Sequence, residues 1–164
     1  MTLCYLGLGA NLQKPLQQIQ NAVKALQASP AIQVLRSSSL YASKPMGPQD
    51  QPDYVNAVVL IETNLQPLEL LNLTQSIETL AGRERKQHWG PRTLDVDILL
   101  IDQLQLSLPQ LTVPHPGLHE REFVLYPLAE IAPDLMLPDG TPVAQACQRV
   151  ALNGLQKIAP ATDY

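Results

Sequence analysis

The sequence has little with which to bind metal through sulfur, cross a membrane or coat a polyanion. Cys4 and Cys147 are the only cysteines in 164 residues and show no C-x-x-C spacing. Neither a disulfide framework nor a zinc knuckle is expected, and both read as buried thiols in a reducing compartment. No apolar run approaches membrane-spanning length, and no basic stretch precedes the short apolar run at residues 3–8. A membrane segment and a secretory leader are therefore not expected, and the chain is placed in the cytoplasm. Charged residues are only 16% and the formal net charge is −4, a weak footprint for nucleic acid. No G-x-x-x-x-G-K-[ST] loop occurs, so a P-loop site is excluded, and the protein-kinase motif set is absent too. Gly7-Leu8-Gly9 ends the first apolar run, but Leu12 stands where a dinucleotide fingerprint needs its third glycine.

What is present describes one globular domain over residues 1–164, with 45% apolar residues and no internal repeat. Apolar spacing predicts a strand at residues 2–8 and an amphipathic helix over 15–28. Strands are expected at 32–41, where Ser37-Ser38-Ser39 weakens the pattern, and at 54–62. A second helix is expected over 67–81, ended by Gly82 at C′. Its Gln75 and Glu78, three apart, should be neighbours on its surface. Leu104, Leu106 and Leu108 alternate after a turn at Asp102-Gln103, predicting a hairpin partner for the strand before them. Residues 118–132 should be helical but interrupted at Pro127. Pro138-Asp139-Gly140 is a turn, and a last helix after Pro142 should bury Val143, Ala146, Cys147 and Val150. The final dozen residues carry no clear pattern.

The chemistry concentrates in His88-Trp89-Gly90-Pro91-Arg92-Thr93-Leu94-Asp95-Val96-Asp97-Ile98-Leu99. A loop here feeds a strand, and residues two apart on a strand share a face. Asp95 and Asp97 thus point together, about 6.6 Å apart at the backbone, while Leu94, Val96 and Ile98 point away. Such carboxylates can converge on hard cations such as magnesium. Residues 83–92 hold four of the chain's eleven Lys and Arg. Carboxylates for a cation beside guanidiniums for oxygens suit a metal–phosphate complex. The plainer readings are a half-exposed strand and a solvated charge run. Tyr54 and Asn56 also share a strand face, suiting a flat heterocycle; capping of the core is the plainer alternative. His115 and His119 are four apart, but Pro116 and Gly117 between them argue against helical zinc ligation. His115 fits better as a neutral hydrogen-bond donor to a ligand.

The same segment resembles the signature of the 6-hydroxymethyl-7,8-dihydropterin pyrophosphokinase family. Residues 5–11, Gly47-Pro48-Gln49-Asp50-Gln51-Pro52-Asp53-Tyr54-Val55-Asn56-Ala57, Leu111-Thr112-Val113-Pro114-His115 and Glu130-Ile131-Ala132-Pro133 also fall where that family has them. The resemblance covers residues 1 to about 145. It implies an α+β, ferredoxin-like fold, with a mainly antiparallel sheet sandwiched by helices. It implies transfer of pyrophosphate from ATP to the pterin hydroxymethyl group, releasing AMP, in folate biosynthesis. Asp95 and Asp97 would hold two magnesium ions, and Arg83, Arg92 and Asp97 would serve the transfer. Gln75, Glu78, Arg85, Trp89, Arg92, Ile98, Thr112, His115 and Arg121 would shape the ATP site. Tyr54 and Phe123 would sandwich the pterin beside Trp89, Asn56 would read its edge, and Ser43, Pro45 and Met46 would line its pocket. Lys44, Ser43, Gln110 and Pro116 depart from the usual proline, threonine, arginine and tyrosine.

Phosphoryl chemistry of this kind predicts closure of the two Pro- and Arg-rich loops, residues 43–53 and 82–92, over the substrates to exclude water. The motifs offer no obvious general base, Asp97 being a candidate proton acceptor. No surface pattern argues for a large interface, so a monomer is expected. Two other classes use the same residues. A metal-dependent phosphohydrolase would combine Asp95 and Asp97 with His115 and His119. A nucleic-acid module would use the basic loop and Trp89, against which the acidic net charge argues.

Overall fold

A computed structural model describes residues 1–11, 14–44, 54–82 and 94–160. The chain runs β1 (Thr2–Ala10), α1 (Pro15–Ala28), β2 (Ile32–Ser37), β3 (Leu40–Ser43), β4 (Tyr54–Thr63), α2 (Pro67–Leu80) and β5 (Asp95–Ile101). It continues through β6 (Leu106–Ser107), β7 (Thr112–Val113), a 3-10 turn at Leu118–Glu120, α3 (Glu122–Ile131), α4 (Val143–Gln148) and β8 (Gln156–Ala159). The main sheet has the order β5-β1-β4-β3-β8, with β2 also paired to β4, and every pairing is antiparallel. Taking β2 and β3 as one broken strand, β1 to β5 follow the β-α-β-β-α-β order of a ferredoxin-like α+β fold.

Strand alternation divides the core in two. On one face Leu6, Leu8, Val55, Ala57, Val59, Ile61, Val96 and Ile98 pack with Ile19, Val23 and Leu26 of α1 and Leu70 and Ile77 of α2. On the other, Val58, Leu60, Leu99 and Leu100 pack with Val124, Leu125 and Leu128 of α3 and Val143, Ala146 and Cys147 of α4. The helix boundaries have local causes. Pro15 opens α1. Gln66 and Glu69 form a capping box on α2, and Gly82 follows the cap residue Ala81 at φ 84°. Both cysteines are free and buried; burial, then nearby Asp102, pushes the Cys4 thiol up to about 12. No helix among the described residues is long and apolar enough to cross a membrane.

Several expectations are corrected. The strand over 32–41 is broken at Ser38 and Ser39, where the Ser38 hydroxyl takes a ladder hydrogen bond and the Ser39 N–H turns to the Glu130 carboxylate. Ser38 Oγ donates to the Ser39 carbonyl at 2.7 Å and accepts from the Val58 N–H at 2.9 Å. The segment after Asp102 does not pair with β5; β6 pairs with β7 instead. Asp102 turns at φ 45° and its carboxylate accepts the Leu3 N–H. Gln103 and Gln105 then donate to the Met136 and Pro138 carbonyls, drawing the chain off the sheet. Helix α3 runs through Pro127, which lacks the N–H that would bond to the Phe123 carbonyl. Glu78 is buried, so only Gln75 of that pair lies on the helix surface. Val150 lies beyond α4 and is half-buried. The segment without pattern near the end forms β8 along β3.

Candidate active site

The β1 register sets the floor of the site. Gly9 pairs with Asn56 on one side and Asp95 on the other, and Gly7 likewise with Val58 and Asp97. Residues directly opposite one another share a face, so Asn56, Gly9 and Asp95 form one transverse row, which Tyr41 of β3 extends. Tyr54 is two residues from Asn56 and lies on the same face, opposite Ser43. This is the face that α3 and α4 cover lower down. At this end Asp95, Asp97 and Tyr54 are half-buried, while Asn56 is only 6% exposed. Asn56 Nδ2 donates to Ser43 Oγ at 2.7 Å, which fixes the amide. Phe123 lies half-buried in the first turn of α3, with the Arg121 guanidinium 5.8 Å from its ring centroid. A Cβ at Gly117 would collide with that guanidinium, so the glycine leaves room for Arg121.

The open edge of β5 collects a second group. The Glu78 carboxylate reaches from α2 and accepts the Val96 N–H at 2.9 Å. The His115 N–H donates to the Leu99 carbonyl at 3.0 Å, just beyond the cis Val113–Pro114 bond. His115 Nδ1 accepts from the Gly117 N–H at 3.1 Å, so its proton sits on Nε2, 3.9 Å from Asp97 Oδ2. Burial, and then the Arg121 charge, lowers the His115 pKa. A neutral imidazole with an outward N–H donor results. Thr112 is exposed beside it, and Ile98 buries its side chain, leaving its backbone as the part a ligand could reach.

The structure therefore brings Ser43, Tyr54, Asn56, Asp95, Asp97 and Phe123 to one face. It sets Glu78, Ile98, Thr112 and His115 along the adjoining strand edge, with Arg121 at the corner. Gln75 is exposed on α2, in the opposite helical layer. Pro45, Met46, Arg83, Arg85, Trp89 and Arg92 lie outside the described residues. Among the described residues, no group of three or more His, Cys, Asp or Glu could hold a metal ion. Two half-exposed carboxylates nonetheless fit magnesium, a hard cation that keeps waters and phosphate oxygens in its shell. His119 stands apart, its Nε2 3.1 Å from Asp139 Oδ2.

Local pattern gives no role to two features. Gly7 and Gly9 read in sequence as half a dinucleotide loop and as part of the family-like segment 5–11, while the register puts both on the carboxylate face. Glu130 had no assigned role. Its carboxylate accepts from the Ser39 N–H, the Ser39 hydroxyl and the Tyr41 hydroxyl at 2.9, 2.6 and 2.8 Å, tying α3 to the start of β3.

Known proteins resemble this chain in sequence and in fold. The model of the family described as 7,8-dihydro-6-hydroxymethylpterin-pyrophosphokinase matches residues 5–133. The chain is 47% identical over 154 residues to the 2-amino-4-hydroxy-6-hydroxymethyldihydropteridine pyrophosphokinase of Pseudomonas aeruginosa, covering 94% of this chain and 95% of that one. It is 46% identical over 160 residues to the Haemophilus influenzae enzyme of the same name, covering 98% and 100%. A Plasmodium falciparum HPPK-DHPS crystal structure superposes with a TM-score of 0.72 at 14% identity. That superposition covers 90% of this chain but 43% of the larger one, and supports the fold alone.

Proposed function

Because the chain belongs to the 7,8-dihydro-6-hydroxymethylpterin-pyrophosphokinase family and is an ATP-dependent pyrophosphokinase of folate synthesis, we propose how its sheet divides the two substrates. The pterin lies against the Tyr54–Asn56 face of β4, and ATP lies along the open edge of β5. The observation that carries this reading is the transverse row in which Asn56 and Asp95 flank Gly9. Neighbouring strands lie about 4.8 Å apart, so an edge-reading amide and a cation-binding carboxylate stand about 10 Å apart on one floor. A bicyclic acceptor read at one end would present its hydroxymethyl group at the other.

The reaction forms a bond from that hydroxyl oxygen to the β-phosphorus of ATP. It breaks the bond from that phosphorus to the oxygen bridging the α-phosphate, which leaves with AMP; the hydroxyl proton would pass to Asp97 or to water. Displacement at phosphorus asks for alignment and charge neutralisation more than covalent help. Asp95 and Asp97 would hold two magnesium ions, which supply charge neutralisation and a template for in-line attack. His115 would donate its Nε2–H to a phosphate oxygen or to Asp97. Tyr54 and Phe123 would hold the ring, with Ser43, Pro45, Met46 and Trp89 around it. Arg83, Arg85, Arg92 and Arg121 would answer the phosphate charge, with Gln75, Glu78, Ile98 and Thr112 completing the nucleotide side. Closure of residues 43–53 and 82–92 would exclude water, which otherwise competes for the same phosphorus. We further propose one domain acting as a cytoplasmic monomer.

The hydrolase reading requires His119 beside Asp97, but His119 sits beside Asp139. The test is to supply ATP, magnesium and the reduced hydroxymethylpterin and to identify the nucleotide product. AMP formed one-for-one with pterin diphosphate supports the reading. ADP or free phosphate without an acceptor overturns it.

A further inference from the structure

An ideal Cβ built on Gly9 would lie 3.0 Å from Asn56 Oδ1, and its next neighbour is the Val55 carbonyl at 4.0 Å. The space above Gly9 is otherwise open among the described residues. The Asn56 amide is held from its other end, where Nδ2 donates to Ser43 Oγ at 2.7 Å. Asn56 is 6% exposed and Ser43 is 4% exposed, so neither group has bulk water as an easy substitute. We propose that Gly9 and Ser43 together are the specificity-determining pair for the acceptor. Ser43 takes the amide NH2, and the missing side chain at Gly9 leaves room for the amide oxygen over β1. The oxygen is thereby presented to the floor of the site as an acceptor. The pocket then selects a flat heterocycle that offers an N–H donor at this edge and disfavours one that offers a lone pair. The selection is strong because a buried amide oxygen facing a lone pair stays unpaired. The pair acts through Asn56 and is a positioning device.

This proposal rests on the pterin-binding reading, so the experiment begins with that reading. Pterin binding is titrated calorimetrically to the wild-type protein in the presence of magnesium and a non-hydrolysable ATP analogue, and analogue binding is titrated separately. Wild-type protein that binds no pterin overturns the acceptor reading and this proposal with it. If pterin binds, Gly9→Ala should weaken it about tenfold or more, because the new methyl group displaces the amide oxygen. Affinity for the ATP analogue should fall far less than affinity for pterin, since no β5 atom lies within 4 Å of the Gly9 Cβ position and Ser43 stands on β3. In turnover the loss should appear in the KM for pterin more than in kcat. Ser43→Ala frees the amide to turn and should weaken pterin about fivefold. It settles the matter if Gly9→Ala does not fold. Gly7→Ala is the control for placing alanine on this strand, since the atoms nearest its Cβ position belong to the Leu99 side chain, at 3.3 Å and beyond, and not to Asn56. Wild-type pterin affinity in Gly9→Ala or Ser43→Ala, or equal loss of pterin and nucleotide, refutes the proposal. A pterin loss in Gly7→Ala as large as in Gly9→Ala refutes it too.

Discussion

Glu130 should stabilise the β3 side of the sheet by an amount that two substitutions can separate. Its carboxylate accepts three protein hydrogen bonds, two from Ser39 and one from Tyr41, and Lys157 Nζ stands 3.8 Å away. Ser39 and Tyr41 are 3% and 7% exposed, so their donors have little access to water. Glu130→Ala strands these donors and should cost about 3 kcal/mol, the cost of losing a charged acceptor beneath a buried N–H. At about 2–4 °C per kcal/mol for a chain of this size, the melting temperature should fall by about 6–12 °C. Glu130→Gln keeps the shape and an acceptor oxygen but removes the charge, and should cost only about 1 kcal/mol. The two variants therefore distinguish hydrogen bonding from charge.

The dependence on pH has a definite sign. Burial raises the Glu130 pKa, but the bonds from Ser39 and Tyr41 and the Lys157 charge more than offset this and hold it below the usual glutamate value of 4.5. A depressed carboxylate pKa contributes stability that is present above the unfolded pKa and lost as pH falls through the folded one. The stability gap between wild type and Glu130→Gln should be full near neutral pH and shrink below about pH 4.5. Thermal melts of wild type and both variants across that range measure it. A gap that grows on acidification, or Glu130→Ala melting with wild type, would refute the reasoning.

Asp97→Ala should reduce turnover by at least about a thousandfold through lost metal binding. Near-normal AMP formation would remove the metal role. Arg92→Ala should slow turnover far more than it weakens pterin binding, as comparison of kcat with pterin affinity would reveal. Ser38→Ala removes the acceptor of the buried Val58 N–H and should cost about 1–3 kcal/mol by denaturant unfolding. Unchanged stability would mean that water fills the gap. The ring resonances of His115 should titrate below the ordinary histidine value of 6.5, owing to burial and then Arg121, and an upward shift would contradict the neutral donor.

Much of this was legible because strong periodicity survives tertiary packing. Helix α1 occupies the expected residues 15–28, and α2 ends at the glycine that predicted its end. The alternation around Asp95 and Asp97 likewise gave their common face, because Val96 and Ile98 had to be buried. What escaped depended on partners distant in sequence. Nothing local tells that Ser38 will bond to Val58, or that Glu130 will reach Ser39, 91 residues away. Pairing of β6 with β7 in place of β5 is accompanied by glutamine side chains that bond to the carbonyls of residues 136 and 138, contacts with no local signature. The G-x-G pair was visible from the start. Its meaning needed the register that sets Gly9 between Asn56 and Asp95.

The pairing of β3 with β8 has a consequence for biosynthesis. Tyr41 lies opposite Lys157, so a strand emerging early from the ribosome waits for a partner 116 positions later (157 − 41). At roughly 5–20 residues per second, that is on the order of ten seconds during which the outer edge of β3 has no strand to pair with. An uncovered strand edge is a template for wrong pairing with another chain. The strand that finally covers it brings Lys157, more than half exposed, to the new rim of the sheet. A charge there is a common device against edge-to-edge association, so the last strand both closes the nascent edge and blunts the one it creates.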